Sequence, residues 1–266
     1  MSRVSTFALA GVTALVVGSG ALAADLAAPY QPVATGGWYL RGYIGQSNQF
    51  VNSISHPSFA TASQFEFLDK GGFDSAPFYG AGVGYQWTNW LRTDVTGEYR
   101  GKANFHALDR YFNSGYFTND YTASKSEWVA LVNAYIDLGT WWSITPYIGA
   151  GVGVAFNTIE HFRDTNVIEG GGGWADTGRQ TSLAWALHAG ASYRASSNLA
   201  VELSYRYLNV GNAHSGTLVN LDPTVFTGNP LAPVTFHNIQ SHDLMLGLRW
   251  LLQPEPMYQP ALVRKG

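Results

Sequence analysis

The stretch Thr145–Phe156, TPYIGAGVGVAF, alternates with period two: one face carries Ile148, Ala150, Val152, Val154 and Phe156, and the other carries Gly149, Gly151 and Gly153. A strand with this pattern has one apolar face and one nearly empty face, which is unusual in a soluble sheet because glycine weakens a strand. The near copy Phe78–Trp87, FYGAGVGYQW, repeats the pattern. Both stretches predict strands of a small transmembrane β-barrel, with apolar side chains facing lipid and glycines facing a narrow interior.

The composition favours an outer-membrane barrel over other classes of protein. Of the 266 residues, 46 % are hydrophobic, 14 % are aromatic and 12 % are charged. The chain contains no cysteine, which excludes disulfides, thiol chemistry and cysteine-ligated zinc. The formal net charge of −3 gives no electrostatic basis for binding nucleic acid.

The sequence divides into four segments. Residues 1–23 combine a positively charged start, an apolar stretch too short to cross a bilayer and an A-x-A cleavage signal, which together predict a signal peptide. Residues 24–37 contain two prolines and no periodicity, and we predict a periplasmic linker there. Residues 38–252 form the predicted barrel, and residues 253–266, with three prolines, form a predicted periplasmic tail.

Alternating hydrophobicity predicts eight barrel strands. They are Gly37–Ser47, Ala76–Trp87, Leu91–Gly101, Lys125–Leu138, Thr145–Phe156, Gln180–Arg194, Leu199–Val210 and Ser241–Leu252. The connections alternate between short turns and four long stretches, which are Asn48–Ser75, Lys102–Ser124, Asn157–Arg179 and Gly211–Phe236. Even-stranded outer-membrane barrels have short periplasmic turns and long external loops, so an up-and-down antiparallel barrel with both termini in the periplasm is expected.

Charged residues fall on the non-apolar side of the predicted strands. Unpaired charges are costly in a narrow lumen, so opposite charges there are expected to pair. The predicted network consists of Arg41, Arg92, Asp94, Glu98, Arg100, Glu127, Asp137, Arg194, Glu202, Arg206, Asp243 and Arg249. Six arginines facing six acids predict a lumen plugged by ion pairs, although perturbed acid pairs can also mark a catalytic site.

Aromatic residues gather near the strand ends beside the short turns. The predicted interfacial aromatics are Trp38, Trp87, Trp90, Trp141, Trp142, Tyr193 and Trp250. Such belts are typical of the boundary between membrane and water. The expected partners of the lipid-facing surface as a whole are outer-membrane lipid and lipopolysaccharide.

Four stretches carry a resemblance to a known family through their order and spacing. They are Asn133–Asp137 (NAYID), Thr145–Gly153 (TPYIGAGVG), Leu203–Leu208 (LSYRYL) and Leu244–Trp250 (LMLGLRW). The sequence resembles the small eight-stranded alphaproteobacterial outer-membrane proteins of the opacity/OmpA-like, or porin-like, superfamily. The resemblance implies a role in envelope integrity and contact with a host-surface ligand, and insertion by the barrel-assembly machinery. Some relatives are described as haem binders.

Three other functions stay open beside the structural and surface-interaction role. The first is a small-solute channel. The second is a haem-binding receptor, for which five histidines in or beside the long connections are the candidates: His56, His106, His161, His214 and His237. The third is a lipid-modifying enzyme using His214 with Ser215 or His237 with Ser241, but no nucleophile motif surrounds either serine. The prediction is therefore no enzyme, with no catalytic residue, cofactor or metal, and His188 as a hydrogen-bonded interior residue.

Overall fold

The computed structural model describes residues 36–166, 168, 171–221 and 232–252. The predicted signal peptide, the linker as far as residue 35 and the predicted tail lie outside these ranges. The elements are β1 (Gly37–Ser55), α1 (Pro57–Thr61), β2 (Ser63–Phe73), β3 (Ala76–Gln86), β4 (Leu91–Phe112), β5 (Tyr116–Phe117), β6 (Asp120–Asp137), β7 (Ile144–Thr165), β8 (Gly172–Ala175), β9 (Gly178–Arg194), β10 (Leu199–Asn220) and β11 (Pro233–Leu251). Among these elements, no helix is long and apolar enough to cross a membrane.

Eight strands form a closed antiparallel ring in the order β1, β3, β4, β6, β7, β9, β10, β11. The ring closes because β11 pairs with β1 in an unbroken line from Tyr39 opposite Leu251 to Gln49 opposite Ser241 and beyond. Full closure removes the unpaired edges that an open sheet would leave in lipid. The predicted eight-stranded antiparallel barrel is confirmed.

Two of the remaining strands prolong the barrel wall at one end. β2 pairs with β4 beyond the point where β3 begins, so β2 and β3 follow one path that is interrupted at residues 74–75. β8 lies between β7 and β10, and it follows the same path as β9 with an interruption at residues 176–177. We call this the extended end of the barrel and the opposite end, with the three short connections, the turn end.

The extended end corrects the predicted long loops. The predicted strands begin or end at the turn end close to where the structure has them, but six of them run much further in the other direction. β7 has 22 residues, which at about 3.3 Å per residue and a tilt of roughly 45° rises about 50 Å. A bilayer core is about 30 Å thick, so the barrel projects well beyond it.

In this projecting part the apolar residues lie on the inner face of the wall instead of the outer face. This change explains why the sequence pattern did not predict the full length of the strands. On β4, a bulge between Arg100 and Ala103 shifts the register. Beyond the bulge, Ala103 and Phe105 point inward and are buried, while Asn104 between them is exposed. The outer face of the wall is polar there and the inner face is apolar. The pattern of apolar residues facing lipid therefore stops at the bulge, and the predicted strand stops with it.

An apolar core fills the inside of the extended end. The rings of Phe73, Phe105 and Phe236 pack with centroid distances of 5.0–5.7 Å. Ile159 and Phe162 of β7 are also buried in this core. The projecting part is therefore apolar inside and polar outside, as a water-soluble domain is, whereas the rest of the ring is apolar outside.

The glycines explain how bulky side chains fit inside a narrow barrel. Four inward tyrosines lie directly opposite a glycine of the neighbouring strand: Tyr39 with Gly84, Tyr43 with Gly80, Tyr135 with Gly149, and Tyr147 with Gly190. A Cβ atom on Gly84 would lie 2.3 Å from the Tyr39 ring, and one on Gly149 would lie 2.4 Å from the Tyr135 ring. The glycines of these four pairs thus make room for tyrosine rings, whereas Gly151 lies against the Asn133 side chain and Gly153 against the Ala130 backbone.

Candidate functional site

The outer surface of the ring is an apolar band between two aromatic belts. The seven predicted interfacial aromatics are all exposed at the turn end, with exposed fractions from 50 % to 94 %. A second belt crosses the wall nearer the extended end, where Tyr79, Tyr99 and Trp128 follow one another at centroid distances of 5.9 and 5.0 Å. Exposed valine, leucine and isoleucine side chains occupy the space between the belts. A band of this kind is suited to contact with hydrocarbon.

The first interior feature is a group of ion pairs nearest the turn end, which we call the lower cluster. Its centre is Glu202, whose carboxylate lies 3.3 Å from Arg41, 3.3 Å from Arg92 and 2.9 Å from Arg249. Two further carboxylates complete the set: Asp94 at 2.9 Å from Arg41, and Asp137 at 3.1 Å from Arg92. All six side chains are at most 8 % exposed.

The second interior feature, the upper cluster, lies above it. Arg100 contacts Glu98 at 3.1 Å, Asp243 at 2.9 Å and Glu127 at 2.6 Å. Arg206 contacts the carboxylates of Glu98 and Asp243 at 2.7 and 2.8 Å. Lys125 pairs with Glu127. Every member is buried.

Each cluster contains three cations and three carboxylates, so each is formally neutral. Neutrality matters because a charge removed from water without a partner costs several kcal/mol. Aromatic rings supply further contacts: the Arg92 guanidinium lies 4.4 Å from the ring centres of both Tyr135 and Tyr147. Tyr43 donates a hydrogen bond of 2.9 Å to Glu98.

The structure brings together eleven of the twelve residues of the predicted network and leaves one out. Arg194 is exposed at the turn end, where β9 terminates, so its inclusion was wrong. Lys125, which the sequence analysis did not include, supplies the sixth buried cation instead, through its pair with Glu127. A signal was available, because Lys125 has the same parity as Glu127 and Asp137 on one strand.

The histidine and serine candidates do not assemble into a catalytic group. His237 lies 2.7 Å from Ser55, not beside Ser241, whose hydroxyl accepts a hydrogen bond from Arg100. The Ser215 hydroxyl is buried and accepts a hydrogen bond from the backbone of Val234. Within the described ranges, no group of three or more histidine, aspartate and glutamate side chains is placed to hold a metal ion. His188 is buried and lies 3.2 Å from Asn133.

Two carboxyl groups, those of the buried Asp109 and the half-buried Asp164, lie outside the apolar band, in the extended end. Asp109 accepts hydrogen bonds from the Tyr121 hydroxyl at 2.6 Å and from the Asn119 amide at 3.2 Å. Burial, with repulsion from Asp109, raises the pKa of Asp164 to about 7. Burial also raises the pKa of Asp109. These groups are therefore expected to respond to mild acid.

The extended end should become more stable as the pH falls from about 7 towards 4. A carboxyl whose folded pKa is raised binds its proton more tightly in the folded state, so its ionisation at higher pH costs stability. For Asp164 the difference is on the order of 2–4 kcal/mol. Urea unfolding at pH 5 and pH 8 measures it. Asp164→Asn should reduce the difference, whereas the exposed Asp120→Asn should leave it in place; equal curves for wild type and Asp164→Asn would contradict the assignment.

Comparison with known proteins agrees with this architecture. Residues 11–229 match the family profile described as the outer membrane protein beta-barrel domain. The chain belongs to this family. It is an outer-membrane β-barrel protein, and its lipid-facing band contacts the lipids of that membrane.

Individual proteins are also similar to this chain. An uncharacterized protein of Brucella abortus (strain 2308) is 33 % identical over 232 residues, covering 74 % of this chain and 78 % of the relative. The outer membrane protein PagN of Salmonella typhimurium is 30 % identical over 123 residues, covering 45 % and 47 %. The crystal structure of OprG from Pseudomonas aeruginosa is similar with a TM-score of 0.46 and 13 % identity, covering 84 % of this chain and 100 % of that one.

Proposed function

We propose that this protein is a closed barrel that supports the integrity of the outer membrane and presents its extended end as an interaction surface outside the cell. One observation carries the proposal. The two neutral ion-pair clusters and the apolar core follow one another along the inside of the barrel. A structural and surface role follows more readily from this interior than a transport role.

The ion pairs support closure because they reach across the full width of the ring. β4 and β10 are separated by three strands in either direction around the ring, so they stand opposite each other. In the lower cluster, Arg92 of β4 contacts Glu202 of β10 at 3.3 Å. In the upper cluster, Glu98 of β4 contacts Arg206 of β10 at 2.7 Å. An eight-stranded barrel is just wide enough for side chains to fill, and these side chains meet in the middle.

Exposed apolar residues at the extended end support a role in surface interaction. Leu68, Tyr116, Ile168 and Leu221 are each at least 50 % exposed, and they lie beyond the apolar band. Lipid contact therefore does not account for them. Apolar side chains that a rigid scaffold displays outside the membrane are available for contact with a partner. We infer that the partner is a ligand on a host surface.

The proposal includes an orientation. The turn end, and with it both chain termini, faces the periplasm, and the extended end faces outwards, as short turns and long projections are arranged in other barrels. Residues 1–23 are removed as a signal peptide, and residues 24–37 and 253–266 flank the barrel in the periplasm. Insertion depends on the barrel-assembly machinery. We expect no catalytic activity.

Epitope tags test both the orientation and the exposure. A tag after Gly171, where a side chain would meet nothing within 4 Å, should be detected by antibody on intact cells. A tag after Ser197, in the short connection between β9 and β10, should be detected only after the outer membrane is permeabilised. The reverse pattern would invert the orientation and remove the proposed interaction surface from the outside of the cell.

A further inference from the structure

A groove opens on the outer wall of the extended end, beside β8. Its volume is about 260 Å³. It is lined by residues of β7 (His161, Phe162 and Arg163) and by residues of β8 and the segment after it (Trp174, Ala175, Asp176 and Thr177). The groove is separate from the interior clusters and from the apolar band.

The groove exists because two irregularities of the wall face each other. The ladder between β7 and β9 ends with Ile159 opposite Gly178, and the ladder between β7 and β8 begins with Phe162 opposite Ala175. Between these points the wall path is interrupted at residues 176–177. On β7, His161 has a φ of +54°, in a bulge where two residues lie opposite one residue of β6. Bulges of this kind redirect side chains and are frequent next to functional sites.

The lining separates into a floor and a rim. Phe162 and Ala175 are buried and belong to the apolar core, so the floor is fixed by packing. On the rim, Trp174 lies directly opposite Arg163 in the ladder and is 41 % exposed. Asp176 and Thr177 are exposed beside it. The rim thus combines an open indole face with a cation, a carboxylate and a hydroxyl.

The polar groups of the rim are available to a ligand. The exposed ion pairs of this end join Lys102 to Glu160 and Arg110 to Glu66. Within the described part of the chain, neither Arg163 nor Asp176 takes part in an ion pair. The His161 ring is held 3.4 Å from the Ser124 hydroxyl.

We propose that this groove binds a neutral saccharide through one pyranose ring. The C–H groups on one face of a pyranose pack against an indole, while its hydroxyl groups both donate and accept hydrogen bonds. A carboxylate accepts such bonds and a guanidinium donates them in pairs, which matches Asp176 and Arg163. Opposite charges on the rim cancel, so the site favours a neutral ligand over a polyanion. The volume is below the roughly 300–1,000 Å³ of pockets for drug-sized ligands, which is consistent with one small ring.

This inference rests on the proposed function only in placing the groove outside the cell, and its test in vitro does not depend on that placement. The full protein is refolded in a detergent without a sugar headgroup. Saturation-transfer NMR and calorimetry are run with lactose and N,N′-diacetylchitobiose as neutral probes and with a heparin-derived tetrasaccharide as the polyanion. Wild type should bind at least one neutral probe, and heparin should not compete.

Substitutions in the groove distinguish specific binding there from nonspecific adsorption to the protein surface. Trp174→Ala should weaken binding at least tenfold, Trp174→Phe should retain part of it, and Asp176→Asn should weaken it at least fivefold. Phe112→Ala, which removes another exposed aromatic ring of the same end, should bind like wild type. The anomalous mobility of folded barrels in unheated SDS gels shows that each variant has folded. Absence of neutral-sugar binding by wild type, binding unaffected by Trp174→Ala, or binding of the polyanion alone would each overturn the proposal.

Discussion

Replacing Glu202 with glutamine should lower the free energy of unfolding by about 3–5 kcal/mol, because it removes the shared partner of three buried arginines. The lower cluster would then hold three cations against two carboxylates. Asp94 and Asp137 each have an arginine of their own, so Arg249 would lose its carboxylate partner. A buried charge without a partner is far more costly than the loss of one hydrogen bond.

The measurement is urea unfolding in lipid vesicles, with Glu160→Gln as the matched control. Glu160 also pairs with a cation, Lys102, but the lysine side chain is 55 % exposed and the glutamate 27 % exposed. Exposed pairs contribute about 0–1 kcal/mol. Similar losses for Glu202→Gln and Glu160→Gln would show that the lower cluster is hydrated rather than closed.

Val152→Arg should destabilise the barrel by about 2–4 kcal/mol if the site is near the middle of the membrane. Val152 is 54 % exposed, and it lies opposite Val132 of β6 and Trp185 of β9. These neighbours are outward-facing as well, so an arginine at this position would enter hydrocarbon. Its guanidinium would have to reach the interface or draw water into the bilayer.

Gly171→Arg is the matched control for the lipid face. Gly171 lies beyond the apolar band, and an added side chain there would meet open space. Unfolding and refolding in vesicles should be close to wild type for Gly171→Arg and clearly impaired for Val152→Arg. Equal tolerance of arginine at both positions would contradict the assignment of Val152 to the lipid-facing band.

The membrane-facing half of the fold could be predicted from the sequence because two physical constraints act there together. Lipid requires an apolar outer face, and the narrow interior requires small residues or charged residues that form ion pairs. Both the odd and the even positions of each strand are therefore restricted in residue type, and the sequence shows both restrictions. The strands from Leu91 and from Leu199 begin where the alternation begins. The charges at Arg92, Glu98 and Arg100 likewise revealed their inward direction by sharing one parity.

The extended end could not be predicted in the same way, because water replaces lipid outside and the apolar residues turn inward. Bulges, such as the one between Arg100 and Ala103, exchange the odd and even positions that face inward. A pattern that assumes strict alternation therefore does not predict the strand beyond the bulge. The tyrosine–glycine pairs were hidden for a different reason. The two members of a pair, such as Tyr39 and Gly84, lie on different strands and meet only because of the register between those strands. No local sequence pattern contains that register.

Two single residues show the limits of parity at strand ends. Arg194 has the inward parity of β9, but the barrel wall ends there and the side chain reaches water. Lys125 has the inward parity of β6 and lies deep enough to pair with Glu127. Depth along the barrel axis, which depends on tilt and register, separates these two cases, and the sequence alone does not encode it locally.

Conductance of the wild-type protein in planar bilayers is the most direct measurement of whether the interior is closed. The ion pairs that join β4 to β10 in both clusters predict no stable conductance steps at moderate voltage and ionic strength. An open porin inserted in the same bilayers gives the positive control. Stable channels of uniform size formed by the wild-type protein would contradict the closed interior and favour a small-solute channel.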